Sequence, residues 1–282
     1  MNQDNNGVKL LTLCRHGNTQ WNDDFDRIAK IIKSGGKPDK IIISSNPELS
    51  LSGFHQAKVT GEWLREHHPH FDYYYTADKI RHLQTVSNLD IPGSNWYVTH
   101  ELREQNFGIF DLLKKYRGDI PENEVLEKLQ ELAAHSYDFH STPIAGESFG
   151  QLSSRIERLI NKLKYGYQDK EVFFLTSENT AWAIRERLEH LGQKKYEELR
   201  HSKDPKDQFQ NAGLTFWSRT DPKSGNLSSS FRWTRNVVPW NMAYSTEWRE
   251  FHPLQVDKDT IGALIEHQRR EAEDEIKKLE SK

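Results

Sequence analysis

Short apolar runs alternate along this chain with longer amphipathic stretches, and that order argues for one kind of architecture. Residues 10–14 read as a buried strand, 53–67 as a helix, 71–76 as a second strand and 80–89 as a second helix. Residues 96–99 suit a short strand, 122–135 and 148–165 suit helices, and 171–176 form a continuous apolar strand followed by a helix over about 180–191. Strand and helix in turn predict an α/β fold, a three-layer sandwich with a mostly parallel central sheet and helices on both faces. Ligands in such sheets sit outside the carboxyl ends of the strands. Three predicted ends carry polar residues: Arg15-His16, the stretch after Thr76, and Ser177-Glu178.

The first of these ends is the most telling. An apolar strand stops abruptly in Arg15-His16-Gly17. Arginine presents a rigid, permanently charged fork of donors suited to phosphate oxygens. A neutral imidazole beside it can attack phosphorus and carry the phosphoryl group covalently. Gly17 lets the backbone turn sharply at that point.

Further runs fall into line behind it. Arg15-His16-Gly17-Asn18-Thr19-Gln20-Trp21-Asn22, Leu51-Ser52-Gly53-Phe54-His55-Gln56-Ala57, the segment from Tyr75 through Arg81 to Thr85, and Leu102-Arg103-Glu104-Gln105-Asn106-Phe107-Gly108 occur in that order. Gly146-Glu147-Ser148 with Arg155, and Asn211-Ala212-Gly213-Leu214-Thr215, come later. In these motifs, over about residues 8 to 220, the chain resembles the histidine phosphatase superfamily, which is phosphoglycerate mutase-like in fold. The resemblance implies metal-independent hydrolysis of a phosphomonoester, without a cofactor. His16 would become the phosphohistidine, and Arg15 and Arg81 would grip the nonbridging oxygens. Glu104 would be the general acid, protonating the leaving oxygen. Thr19, Asn22 and Asn179 would line the phosphate pocket.

One departure stands out. Where the family's Val-Ser-His-Gly places a second catalytic histidine, this chain reads Thr176-Ser177-Glu178-Asn179. An ionised carboxylate repels the phosphoryl group that the histidine would attract, whereas a protonated Glu178 could donate one hydrogen bond, and an empty pocket could pair Glu178 with an arginine. Three explanations stay open: an impaired natural member that binds a phosphorylated ligand or a protein without turnover, an active enzyme that uses Glu178 differently, or a substitution introduced to block turnover. His82 should point about 100° away from Arg81 around its helix, and His190 lies three turns from Glu178, so neither is expected to replace the missing imidazole.

Composition bounds the rest. The 282 residues carry a formal net charge of -3, which disfavours a general nucleic-acid footprint, and 8 Trp and 13 Phe supply an ample core. The single Cys14, inside an apolar strand, reads as a core residue, and its usage fits a reducing compartment. With no run long enough to span a bilayer and no signal-like start, a soluble cytoplasmic protein acting on a phosphorylated small molecule is expected. The phosphatase-like domain is placed at 1–255, with an insertion at about 108–146 and an aromatic-rich region at about 216–253. In the insertion, Lys114-Lys115-Tyr116-Arg117 suits either a second anionic group or a solvated helix face. The aromatic-rich region suits an edge hairpin packed over the core. A charged helix is expected over 256–282, where Ile261, Leu264, Ile265, Ala272, Ile276 and Leu279 form an apolar stripe that leaves a homodimer open. The run His67-His68-Pro69-His70 lacks paired acidic or cysteine ligands, so no metal site is expected.

Overall fold

The computed structural model of the chain describes residues 7–34, 46–108, 139–140, 142–143 and 145–253, and residues 261, 262, 265, 266, 269, 270, 273, 276 and 277. The chain divides into two compact units, Met1–Phe251 and His252–Lys282. The basic run 114–117, the helix expected over 122–135, and Leu264, Ala272 and Leu279 lie outside the described residues.

In the first unit β1 (Leu10–Arg15) leads to α1 (Gln20–Lys33) and α2 (Leu51–His67), then β2 (Tyr73–Thr76), α3 (Ile80–Leu89) and β3 (Trp96–Val98). After these come α4 (Phe149–Gly166), β4 (Glu171–Thr176), α5 (Glu178–Glu189), α6 (Gly192–Arg200), β5 (Leu214–Ser218), β6 (Trp233–Val237) and β7 (Arg249–Glu250). The sequence reading missed α6, rich in charge and short of apolar repeats, and also α1, although Trp21, Phe25, Ile28 and Ile32 recur there at helical spacing. Helix starts follow local chemistry. Ser148 Oγ accepts from the Gln151 amide and the Gln151 side chain accepts from the Ser148 amide, a reciprocal cap that opens α4.

The seven strands form one sheet in the order β3-β2-β4-β1-β5-β6-β7. β3, β2, β4 and β1 are mutually parallel, β5 and β7 run against them, and β6 runs with them. β1 shows why both faces are covered. Leu11 and Leu13 enter a cluster with Val172, Phe174, Ile156 of α4 and Trp182 of α5. Leu10 and Cys14 alternate to the opposite face, joining Phe173, Leu175, Leu64 of α2 and Leu89 of α3. Helices therefore cover the sheet on two sides, giving three layers. Part of the aromatic-rich stretch forms the β5–β6 hairpin, where Trp217 is fully buried and Phe216 meets Trp248. Burial pushes the Cys14 thiol well above its ordinary pKa, leaving it protonated. No described helix is long and apolar enough to cross a membrane. In the second unit the described residues from Ile261 to Lys277 are helical and exposed.

Candidate active site

Parallel pairing of β1 with β4, Arg15 opposite Thr176, brings Arg15-His16 beside Ser177-Glu178. The His16 amide donates to the Thr176 carbonyl at 2.9 Å, and the Asn211 side chain donates to the His16 carbonyl at 3.0 Å. Gly17 then donates to Thr85 Oγ1 at 3.0 Å. The turn beyond Gly17 meets α2 so closely that a Cβ on Gly53 would lie 1.9 Å from the Asn18 carbonyl oxygen, and one on Gly17 would lie 2.6 Å from that of Gly53. Only glycines allow this approach.

The His16 ring is buried, and its Nδ1–H donates to the Gly17 carbonyl at 2.8 Å. Because a carbonyl only accepts, this bond fixes the tautomer and leaves the Nε2 lone pair unprotonated. Burial, then Arg81, His82 and Arg15, hold the imidazole well below its ordinary pKa, so it is neutral.

Arg81, at the start of α3, is buried and donates to Ser177 Oγ at 3.2 Å. Its neighbour His82 corrects an expectation. The two rings of His82 and His16 stand edge to face with centroids 5.2 Å apart, and His82 Nε2 lies 2.8 Å from the same Ser177 Oγ. The entrance of α3 is packed on more than one side, so positions 100° apart both reach the site. Burial first, then Arg81, also keeps His82 neutral.

Arg15 donates through Nη1 to the Phe209 carbonyl at 2.7 Å, and its Nη2 lies 2.7 Å from Glu178 Oε2. The other Glu178 oxygen receives Arg200 Nη1 at 3.0 Å. Burial alone would raise the pKa of this carboxyl, but Arg15 and Arg200 outweigh it and hold Glu178 below the ordinary carboxylate range. Glu178 is thus ionised and paired; the protonated donor considered above is not its state. Arg200 escaped the sequence reading because it sits in a run of mixed charge with no motif around it.

Glu104 faces a different field. Its Oε1 accepts from the Gln105 and Asn179 amides at 2.9 and 3.1 Å. Burial, reinforced by Glu178, still raises its pKa despite those bonds and the two arginines, Arg81 and Arg15. The loop that carries it is braced by Arg155, which pairs with Glu147 at 2.7 Å and donates to the Glu101 carbonyl at 2.5 Å. Thr180 Oγ1 donates to the Arg103 carbonyl at 2.6 Å.

The remaining expected residues take local work. Asn22 Oδ1 accepts from both the amide and the hydroxyl of Thr19, and Thr19 Oγ1 accepts from the Asn22 amide, a reciprocal cap at the start of α1. Asn179 donates its side-chain NH₂ to Gln105 and accepts from Arg200, so both ends of its amide are engaged. In sum, His16, Arg15, Arg81, Glu104 and Glu178 converge, while Thr19, Asn22 and Asn179 are occupied with the frame.

The sequence pattern of the histidine phosphatase superfamily (branch 1) matches residues 11–207. No curated protein matches the chain. Among solved structures, the α-ribazole phosphatase of Shigella flexneri is similar over 78% of this chain and 96% of its own, at 18% identity and TM-score 0.55. A mycobacterial glucosyl-3-phosphoglycerate phosphatase in complex with VO3 is similar over 74% and 92%, at 20% identity and TM-score 0.53. A protein described as mycobacterial hydrolase 1 is similar over 86% and 97%, at 18% identity and TM-score 0.53. At these identities the likeness is one of fold.

Proposed function

The chain belongs to the histidine phosphatase superfamily, and from that premise we propose that it is a phosphomonoesterase acting on a phosphorylated small molecule through phospho-His16. The observation that carries this reading is the Nδ1–H bond from His16 to Gly17, which leaves the other ring nitrogen unprotonated within the field of Arg81 and Arg15. In the first step Nε2 attacks phosphorus as the ester P–O bond breaks, and Glu104 gives its proton to the departing oxygen. The raised pKa of Glu104 suits it to hold that proton. In the second step water attacks the phosphohistidine, Glu104 takes the proton back, and inorganic phosphate leaves. The arginines hold charge on the equatorial oxygens throughout.

Glu178 slows this chemistry. A carboxylate about 4 Å from a phosphoryl oxygen costs about 4 kcal/mol at an effective dielectric near 20, a penalty that its two arginines reduce. The pairing of Glu178 with Arg15 favours a second reading, a phospholigand-binding protein without turnover.

Labelled phosphoryl transfer separates the two. With a ³²P-labelled aryl phosphate, acid-labile and base-stable label should appear on the protein and vanish in His16→Ala. Tight binding of phosphate compounds with no label on the native chain, and label only on Glu178→His, would establish the binder instead.

A further inference from the structure

Arg200 comes to the site from the last turn of α6, and its side chain is only 2% exposed. Its two terminal nitrogens reach consecutive residues at the amino end of α5: Nη1 the Glu178 carboxylate at 3.0 Å, Nη2 the Asn179 side-chain oxygen at 2.8 Å. Each of those residues leads on to a different part of the site. The far oxygen of Glu178 sits on Arg15. The Asn179 amide donates to Glu104, and its side chain donates to Gln105. One buried guanidinium therefore stands behind both the phosphate clamp and the acid. It lies over the Trp182 ring, 5.2 Å from the centroid, and Trp182 is itself fully buried.

A guanidinium fork is planar and its donors have fixed directions, so what it holds keeps its place. A carboxylate left alone with Arg15 would turn both oxygens onto it in the bidentate pairing such groups prefer, and would take the donors a phosphoryl group needs. Drawn from the other side by Arg200, Glu178 keeps a single oxygen on Arg15.

We propose that Arg200 is a positioning residue of the phosphate site: it restrains Glu178 so that Arg15 can still receive a phosphoryl group. Glu178 and Arg200 then act as a unit at the place where the family motif carries one histidine. The inference rests on reading Arg15 and His16 as the phosphate site.

The test is a double-mutant cycle read by calorimetric titration with inorganic phosphate, using the native chain, Arg200→Met, Glu178→Gln and the double variant. Arg200→Met should weaken phosphate binding about tenfold or more, while the double variant should bind within about twofold of Glu178→Gln, because without the carboxylate no anion competes for Arg15. Equal weakening in both backgrounds, or none in either, overturns the proposal, since a merely structural arginine would act alike in both. Should Arg200→Met fail to fold, Arg200→Lys, which keeps the charge but reaches only one partner at a time, runs the same cycle with the same criteria. Arg15→Ala is the control. If it leaves phosphate binding unchanged, the phosphate-site reading falls and this proposal with it; if it abolishes binding while the cycle is additive, only the role of Arg200 is overturned.

Discussion

The site shifts two ionisable groups in opposite directions. His16 is held neutral while Glu104 is held towards its protonated form, the pairing that a nucleophile and an acid need at one pH. Turnover should therefore fall as pH rises through the raised pKa of Glu104, and Glu104→Gln should lower kcat about 10²-fold or more and remove that limb, as a pH–rate profile would record. Stability follows a different sign. The unfolded chain takes up protons at His16 and His82 near pH 6.5 that the native state refuses, so stability is undiminished above that pH and declines as pH falls below it. Each histidine contributes a slope of up to about 1.4 kcal/mol per pH unit, and Glu104 opposes them. Urea unfolding between pH 7 and 5 should show the decline, and His82→Leu should make it shallower. Glu178→His removes the carboxylate that pairs with Arg15 and Arg200, and we expect it to cost about 1–3 kcal/mol, less than a fully buried pair because Glu178 is partly exposed; denaturant midpoints at pH 7.5 would show whether it does.

At the scale of elements, the approach of α2 to the turn after β1 leaves no room for a side chain. A methyl on Gly53 meets the Asn18 carbonyl at 1.9 Å, and backbone cannot yield as a side chain tip can. Gly53→Ala should lose about 3 kcal/mol or more, whereas Gly166→Ala, with nothing near it at the end of α4, should be neutral or slightly stabilising. Chemical denaturation of the two variants would settle the contrast. Helix α3 shows the limit of reading one helix by its wheel. Its apolar and polar positions gave its span correctly, residues 80–89, yet Arg81 and His82 both reach Ser177 because the entrance of the helix is enclosed. Nothing in the local period reports such enclosure.

For the whole molecule, the compact unit ending at Phe251 holds the sheet and every candidate catalytic residue. We expect a chain ending there to unfold in one transition, with a Tm within about 4 °C of the full chain by calorimetry. The sequence by itself determined most of the elements, α1 and α6 excepted, and the chemistry of each strand end: the apolar runs of β1 and β4, the glycines of the turn, and a carboxylate at position 178 within an ordered set of motifs. Those are local properties, set by residues within a few positions of one another. Only the tertiary structure decided that Glu178 is ionised between Arg15 and Arg200, that His82 abuts His16, and that Asn179 serves Glu104. A side chain's charge state and partners depend on burial and on fields acting through space. Those follow from which strands lie adjacent in the sheet, and no short-range pattern encodes that neighbourhood.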